Sequence, residues 1–359
     1  MNIVMDNIIF SLQSRGGGSV YWAEVVSGLG LRGHHLHFID SFVASNLIVR
    51  DYAFSGDLIR QESHIPVARY ISPSYVFPDP HIFHSSYYRT SRNSRAINVT
   101  TVHDFTYERF ASLPQRTVHH LQKREAVLRS DGIICVSECT KRDLLKFIPK
   151  AIVKEVRVIH NGVSPAFRVI ASGERDAILK GLDLSAKGYA LFVGHRTSYK
   201  NFPLAVEAIS LAGGLKLAIV GGAVSDQERS FLESRLSTRY VVLSKVDNST
   251  LNALYNGAFC LIYPSSYEGF GIPVAEAMLA GCPVVALSNS SIPEVGGDAV
   301  AYAAGPDVYS FAQRFRDLSS PSVYEEFRQK GLQQGVKFSW DKTVEETESF
   351  YEELNASRQ

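Results

Sequence analysis

Short apolar runs recur along the chain and alternate with longer stretches whose apolar positions return at helical spacing, the pattern of parallel sheets with helical crossovers. The runs predict strands at Asn2–Phe10, His35–Ile39, His81–Ser85, Asn98–Thr101, Gly132–Val136 and Arg157–His160. A second series is predicted at Ala190–Val193, Lys216–Val220, Tyr240–Leu243, Cys260–Tyr263 and Val284–Leu287. Between the two series, Asn161–Lys187 carries Gly162, Pro165, Gly173 and Gly181, which interrupt both periodicities and suit an interdomain connection. The pattern predicts an α/β protein with two doubly wound, Rossmann-like domains, 1–165 and 166–337, and a terminal helical segment at 338–359.

Composition narrows the class. A chain of 359 residues with 45% hydrophobic content can fill two cores. Its formal net charge of +1 argues against nucleic acid as a partner, since such proteins carry a basic excess. The opening MNIVMDNIIF lacks a basic segment and a small-residue cleavage site, and no apolar run reaches membrane-spanning length. These features predict a cytoplasmic protein. Cys135, Cys139, Cys260 and Cys282 sit in or beside apolar runs without Cys-x-x-Cys spacing and read as reduced core residues.

The chemistry concentrates in YEGFGIPVAEAMLAGCPVVA, Tyr267–Ala286. The buried strand FCLIYPSS precedes a glycine-rich turn holding Glu268, and Pro273 suits the first position of a helix that carries Glu276. A helix N-terminus at the carboxyl edge of a doubly wound sheet favours an anion, a phosphate above all. Two carboxylates beside it suit sugar hydroxyls, which donate to them. The segment resembles the signature of the retaining glycosyltransferases of family 4, a glutamate, seven residues and a second glutamate, here Glu268-GFGIPVA-Glu276. The resemblance covers nearly the whole chain and implies the GT-B architecture, two such domains facing across a cleft with the C-terminal helix crossing back to the first. It implies that Glu268 contacts the transferred sugar, that the backbone of Phe270, Gly271 and Ile272 approaches sugar and phosphate, and that Glu276 holds the ribose hydroxyls.

The same resemblance extends to LFVGHRTSYKNFPLAVEAI, where it implies that Arg196 and Lys200 neutralise the leaving diphosphate. Many members carry adjacent Arg-Lys here, whereas Tyr199 precedes Lys200 in this chain. Gly221 and Gly222 would permit close backbone approach to the nucleotide, the backbone near Val246 would face the base, and Leu251 and Tyr255 read as core. SIPEVGGDAVAY, Ser291–Tyr302, reads as support around the site. In the first domain, Gly17 and Gly18 of QSRGGGSVYWAEV lie before a helix expected near Ser19 and, by resemblance, close over the donor. That run is not the G-x-G-x-x-G of dinucleotide enzymes. His103 and Asp104 end the strand of TTVHD and match the family's His-Asp element, with His103 contacting a sugar hydroxyl or the leaving phosphate. His84, closing IFHSS, is expected with Asp104 on the acceptor side.

Basic residues Arg116, Lys123, Arg124, Arg129, Lys141, Arg142, Lys146 and Lys150 outnumber acidic ones between Gln115 and Lys150. This surface suggests peripheral contact with the cytoplasmic leaflet of a membrane, with two ordinary solvated helices as the alternative. The expected activity is retaining, metal-independent transfer of a sugar from a UDP- or GDP-sugar to a saccharide or lipid-linked saccharide in polysaccharide or glycolipid synthesis, without cofactor. Glucose and mannose are the leading sugars. A nucleotide-sugar 2-epimerase, a phosphorylase and a non-catalytic nucleotide-sugar-binding protein are the alternatives.

Overall fold

A computed structural model describes residues 1–13, 16–41, 52, 54–62 and 67–358. Ser14 and Arg15 of the triple-glycine loop lie outside them. The chain divides into two compact units, Met1–Gly162 with Ser339–Gln359, and Val163–Phe338.

The first unit holds seven parallel strands, β1 (Asn2–Asp6), β2 (His35–Ser41), β3 (Asp57–Glu62), β4 (His81–Ser85), β5 (Ala96–Val102), β6 (Gly132–Cys135) and β7 (Glu155–Val158), in the order β3-β2-β1-β4-β5-β6-β7. The chain winds outward from β1 in one direction and then the other, so a crevice opens between the carboxyl ends of β1 and β4. β1 is shorter than the apolar run MNIVMDNIIF suggested. The strand stops at Asp6, and the backbone turns into a helical segment, Ile9–Leu12, that still buries Ile9 and Phe10. What stops it is polar anchoring. Asp6 accepts a 2.7 Å hydrogen bond from the Ser85 hydroxyl, and Asn7 accepts one of 2.7 Å from the Trp22 indole. β3 escapes sequence reading because an edge strand of sequence DLIRQE has no apolar face to announce it.

The terminal helix, Trp340–Ala356, belongs to this unit. Trp340, Val344, Phe350, Tyr351 and Leu354 join the core formed by Ile3, Met5, Val25, Val26, Leu29, Val99 and Ile134. The helix Gly17–Leu31, which starts two residues before the expected Ser19, lies against it at a glycine. A Cβ on Gly28 would meet Val344 Cγ2 at 2.5 Å.

The helix Leu113–Arg129 corrects one expectation. Lys123, counted with the basic surface, is 0% exposed. Its ammonium donates to the Asp104 carbonyl at 2.7 Å and to Glu108 at 2.9 Å, and lies 4.0 Å from the centre of the Phe105 ring. Desolvation would make a bare cation untenable there, so Lys123 is an internal brace. No helix among the described residues is long and apolar enough to cross a membrane.

The second unit holds six parallel strands, β8 (Tyr189–Val193), β9 (Lys216–Val220), β10 (Tyr240–Leu243), β11 (Cys260–Tyr263), β12 (Val284–Leu287) and β13 (Val300–Ala303), ordered β10-β9-β8-β11-β12-β13. β13 begins within the segment read from sequence as support alone and ends one residue beyond it. The direction of winding reverses between β8 and β11, and their carboxyl ends flank the crevice. All four cysteines are buried, and none is in a disulfide.

The tight seating of the terminal helix generates a stability prediction. Gly28→Ala is expected to cost about 1–3 kcal/mol by overpacking, although alanine favours helix. Urea unfolding of Gly28→Ala, Val344→Ala and the double variant should show the double losing less than the sum of the two singles.

Candidate active site

Two loops at the carboxyl edge of the second sheet are stitched together by hydrogen bonds from residues with no apparent chemistry. After β8, Asn201 donates its side-chain amide to the Pro264 carbonyl at 2.9 Å. After β11, the Ser266 amide and hydroxyl both bond the Tyr199 carbonyl, at 2.8 and 3.0 Å. Lys200 and Glu268, 68 residues apart, are thereby brought together with Nζ and Oε1 at 2.5 Å. Each side chain is 12% exposed. The ammonium also donates to the Tyr263 hydroxyl at 3.2 Å and lies 5.1 Å from that ring's centre. Burial alone would depress the lysine, but Tyr263, Glu268 and the hydrogen bond outweigh it and hold its pKa well above the ordinary range. Lys200 is a fixed cation at any working pH.

The turn after Glu268 is held from behind. The Glu268 amide donates to the Ser290 hydroxyl at 2.8 Å, while Ser291 donates to the carbonyls of Glu268 and Phe270 at 3.0 and 2.9 Å. Ser291, together with the preceding Ser290, thus gives the supporting segment a specific task that spacing did not reveal. Gly271 has φ near +100°, where a side chain would be strained, and a Cβ there would also come within 2.6 Å of Ile292 Cδ1. The helix Ile272–Leu279 begins one residue before Pro273. Phe270 directs its ring into packing, 5.5 Å from Phe338, which leaves its backbone as the part able to meet a ligand.

Glu276 lies in this helix and accepts a 2.9 Å hydrogen bond from Tyr255 on the helix Asn248–Gly257. Burial pushes its carboxyl up to about 7, against the lowering effect of that bond. Tyr255 is core, as its spacing implied, yet its hydroxyl orients a site carboxylate.

Arg196 takes different partners from Lys200. Its Nε donates to Glu228 at 2.7 Å, Nη1 to the Gly222 carbonyl at 2.9 Å and Nη2 to the Ala223 carbonyl at 2.5 Å. Glu228 also caps the helix Asp226–Leu236 through the Ser225 amide. Arg196 therefore ties the loops after β8 and β9, a partnership across 32 residues that the sequence does not signal. A Cβ on Gly221 would lie 2.6 Å from the Gly194 carbonyl, so close packing of these two loops accounts for that glycine without a ligand. Val246 follows β10, two strands from β8, half-buried beside the capping Asp247.

In the first unit, His103 and Asp104 follow β5. Burial lowers the His103 imidazole to about 4, with Lys123 adding to the effect and Asp104 opposing it, so the ring is neutral at pH 7. Its edge meets Tyr21 at a centroid distance of 4.9 Å. Asp104 accepts a 2.8 Å hydrogen bond from the Thr106 amide. Gly17 and Gly18 form the first turn of their helix, with Gly17 exposed.

His84 departs from its expected place. It is 0% exposed, hydrogen-bonded to the Tyr351 hydroxyl through Nδ1 and to Thr101 at 2.9 Å through Nε2, and burial lowers it to about 3. With both nitrogens engaged inside the core, it braces β4, β5 and the terminal helix and does not line the acceptor side.

The second sheet thus presents a fixed ammonium, a carboxylate paired with it and a second carboxylate beyond a helix N-terminus. Residues 175–351 match the family model "Glycosyl transferases group 1", and residues 15–167 match "Glycosyltransferase Family 4". The chain belongs to this family of glycosyltransferases and has the GT-B fold. O-antigen chain mannosyltransferase B of Escherichia coli is 28% identical over 291 residues, covering 76% of this chain and 74% of that protein. Sucrose-phosphate synthase of Thermosynechococcus elongatus superposes with a TM-score of 0.79 at 17% identity, covering 99% of this chain and all of that one. Anabaena HepE, solved with UDP-glucose, superposes with a TM-score of 0.76 at 12% identity, covering 98% of this chain and 100% of that one.

The Tyr255 contact generates a prediction. Tyr255→Phe removes a donor to the ionised carboxylate, so the Glu276 midpoint should rise further above about 7. Carboxyl-carbon NMR of glutamate-labelled protein would follow it.

Proposed function

We propose that the protein is a retaining, metal-independent hexosyltransferase that moves glucose or mannose from a UDP- or GDP-sugar to a saccharide or lipid-linked saccharide acceptor. The observation that carries this reading is the Lys200–Glu268 pair, 2.5 Å apart where the sheet reverses its winding. In the free protein the two groups satisfy each other. A donor offers each a better-distributed partner, with the diphosphate drawing on Lys200 and the sugar hydroxyls donating to Glu268. Glu276 accepts from the ribose, and the backbone of Phe270, Gly271 and Ile272 receives sugar and phosphate at the helix N-terminus.

As the glycosidic bond breaks, negative charge grows on the diphosphate, and Lys200 with the helix amides stabilises it there. Arg196 adds positive field from its tether to Glu228. The acceptor hydroxyl attacks from the face the diphosphate leaves, and a diphosphate oxygen takes its proton, which gives retention without a carboxylate nucleophile. Neutral His103 is assigned a sugar hydroxyl or the leaving phosphate, Asp104 the acceptor, and Gly17 and Gly18 a closing role over the donor. Gly221 and the backbone near Val246 are assigned to the nucleotide. The mannosyltransferase relative and the UDP-glucose-bound neighbour support the two sugar classes named. The exposed basic residues of the first unit support a membrane-surface acceptor, with Lys123 removed from the set.

The test is turnover of UDP-glucose and GDP-mannose, followed as nucleoside diphosphate release with and without EDTA. Lys200→Ala and Glu268→Gln should each lower kcat by two orders of magnitude or more with circular dichroism unchanged. Near-normal turnover in both would overturn the assignment, and loss of wild-type turnover in EDTA would overturn metal independence.

A pH dependence follows from Glu276. A protonated carboxyl is a poorer acceptor, so affinity for UDP or GDP should be flat above about 7 and fall roughly tenfold per unit below it. Glu276→Gln should bind more weakly and lose the break, as calorimetric titration across pH would reveal.

A further inference from the structure

At the carboxyl end of the second sheet, five of the six strands close on an aliphatic residue, Val193, Val220, Leu243, Leu287 and Ala303, and β11 closes on Tyr263. Tyr263 is 1% exposed. Its ring fills core volume that a phenylalanine would fill equally well, so the hydroxyl needs a separate explanation. That hydroxyl accepts a hydrogen bond from Lys200 Nζ at 3.2 Å. Lys200 also donates to Glu268 at 2.5 Å, so its ammonium bridges the phenol and the carboxylate.

An ammonium only donates, so the carboxylate and the phenol oxygen both serve Lys200 as acceptors and fix it from two sides. Burial raises the Tyr263 hydroxyl far above its ordinary range, which keeps its proton in place. The ring face lies under the ammonium, an arrangement that favours the cation at little cost in freedom. The adjoining Tyr199 ring lies 5.7 Å from the same nitrogen. Lys200 is thus held in an aromatic seat at the point where β8 and β11 diverge.

We propose that Tyr263 is a positioning residue for sugar transfer, its hydroxyl and ring fixing the Lys200 ammonium at the place from which it pairs with Glu268 and meets a donor. The inference rests on the reading that those two groups act on the donor. Tyr263 itself touches no reacting atom.

The experiment compares wild type, Tyr263→Phe and Tyr263→Leu as full-length protein. Turnover is measured on UDP-glucose and GDP-mannose, UDP and GDP affinity by calorimetry, and Lys200 reactivity by competitive acetylation against the exposed Lys342 as internal reference. Tyr263→Phe should melt close to wild type, bind UDP or GDP within about twofold, and show kcat reduced at least tenfold with KM changed less than threefold. Lys200 in this variant should acetylate at least fivefold faster relative to Lys342. Tyr263→Leu should lose melting temperature as well, separating the ring's packing from the hydroxyl's role. A Tyr263→Phe enzyme with unchanged kcat and unchanged Lys200 labelling overturns the proposal, as does one whose KM alone rises. Failure of the wild type to consume either donor contradicts the transferase reading instead, and the labelling ratio still decides whether the hydroxyl holds Lys200.

Discussion

The ion pair between Lys200 and Glu268 constrains everything around it. Two opposite charges, each 12% exposed, persist there because each compensates the other, and removing one partner from such a pair costs about 3–5 kcal/mol. The stitching of the loops after β8 and β11 through Asn201, Pro264, Ser266 and Tyr199 keeps the pair closed. Ser290 and Ser291 hold the Glu268 turn, and Gly271 supplies the backbone conformation that lets a helix start behind it. A ligand that opens the pair must replace both partners at once, which is a demand for an anion and a hydroxyl donor in one molecule. On the proposed function, a nucleoside diphosphate sugar meets it.

The fold supplies the place for this chemistry by a simple topological rule. Each sheet winds outward in one direction and then in the other, and the loops part where the direction changes. In the second unit that opening receives the charged pair. In the first unit the corresponding edge is built differently. Buried groups there are spent on internal bracing, with Lys123 against Glu108 and the Asp104 carbonyl, and His84 against Tyr351 and Thr101. The same residue types thus serve opposite ends in the two units, and burial decides which.

Much of this was legible in the sequence where local pattern and tertiary role coincide. The strand, glycine turn and helix around Glu268 announce themselves within twenty residues, and the sheet alternation identifies eleven of the thirteen described strands or their close approximations. Partnerships across long separations left no local trace. Arg196 reads as a free basic residue until Glu228 is seen beside it, and Lys123 reads as surface charge until its carboxylate and carbonyl partners appear. His84 looked like a strand-end site residue because apolar neighbours cannot reveal that both its nitrogens are taken. Edge strand β3 was hidden for the converse reason, since a polar segment at a sheet edge need not alternate.

The most direct test of the central claim is thermal unfolding of wild type and Glu276→Gln with UDP, GDP, dTDP and ADP, each with and without EDTA. A ligand at about 100 times its dissociation constant adds about 2.7 kcal/mol, enough to raise the midpoint by several degrees. One nucleotide should raise the wild-type midpoint, independently of EDTA, and raise that of Glu276→Gln much less. Equal shifts in both proteins, or none in the wild type, would contradict a nucleotide site built on this sheet edge.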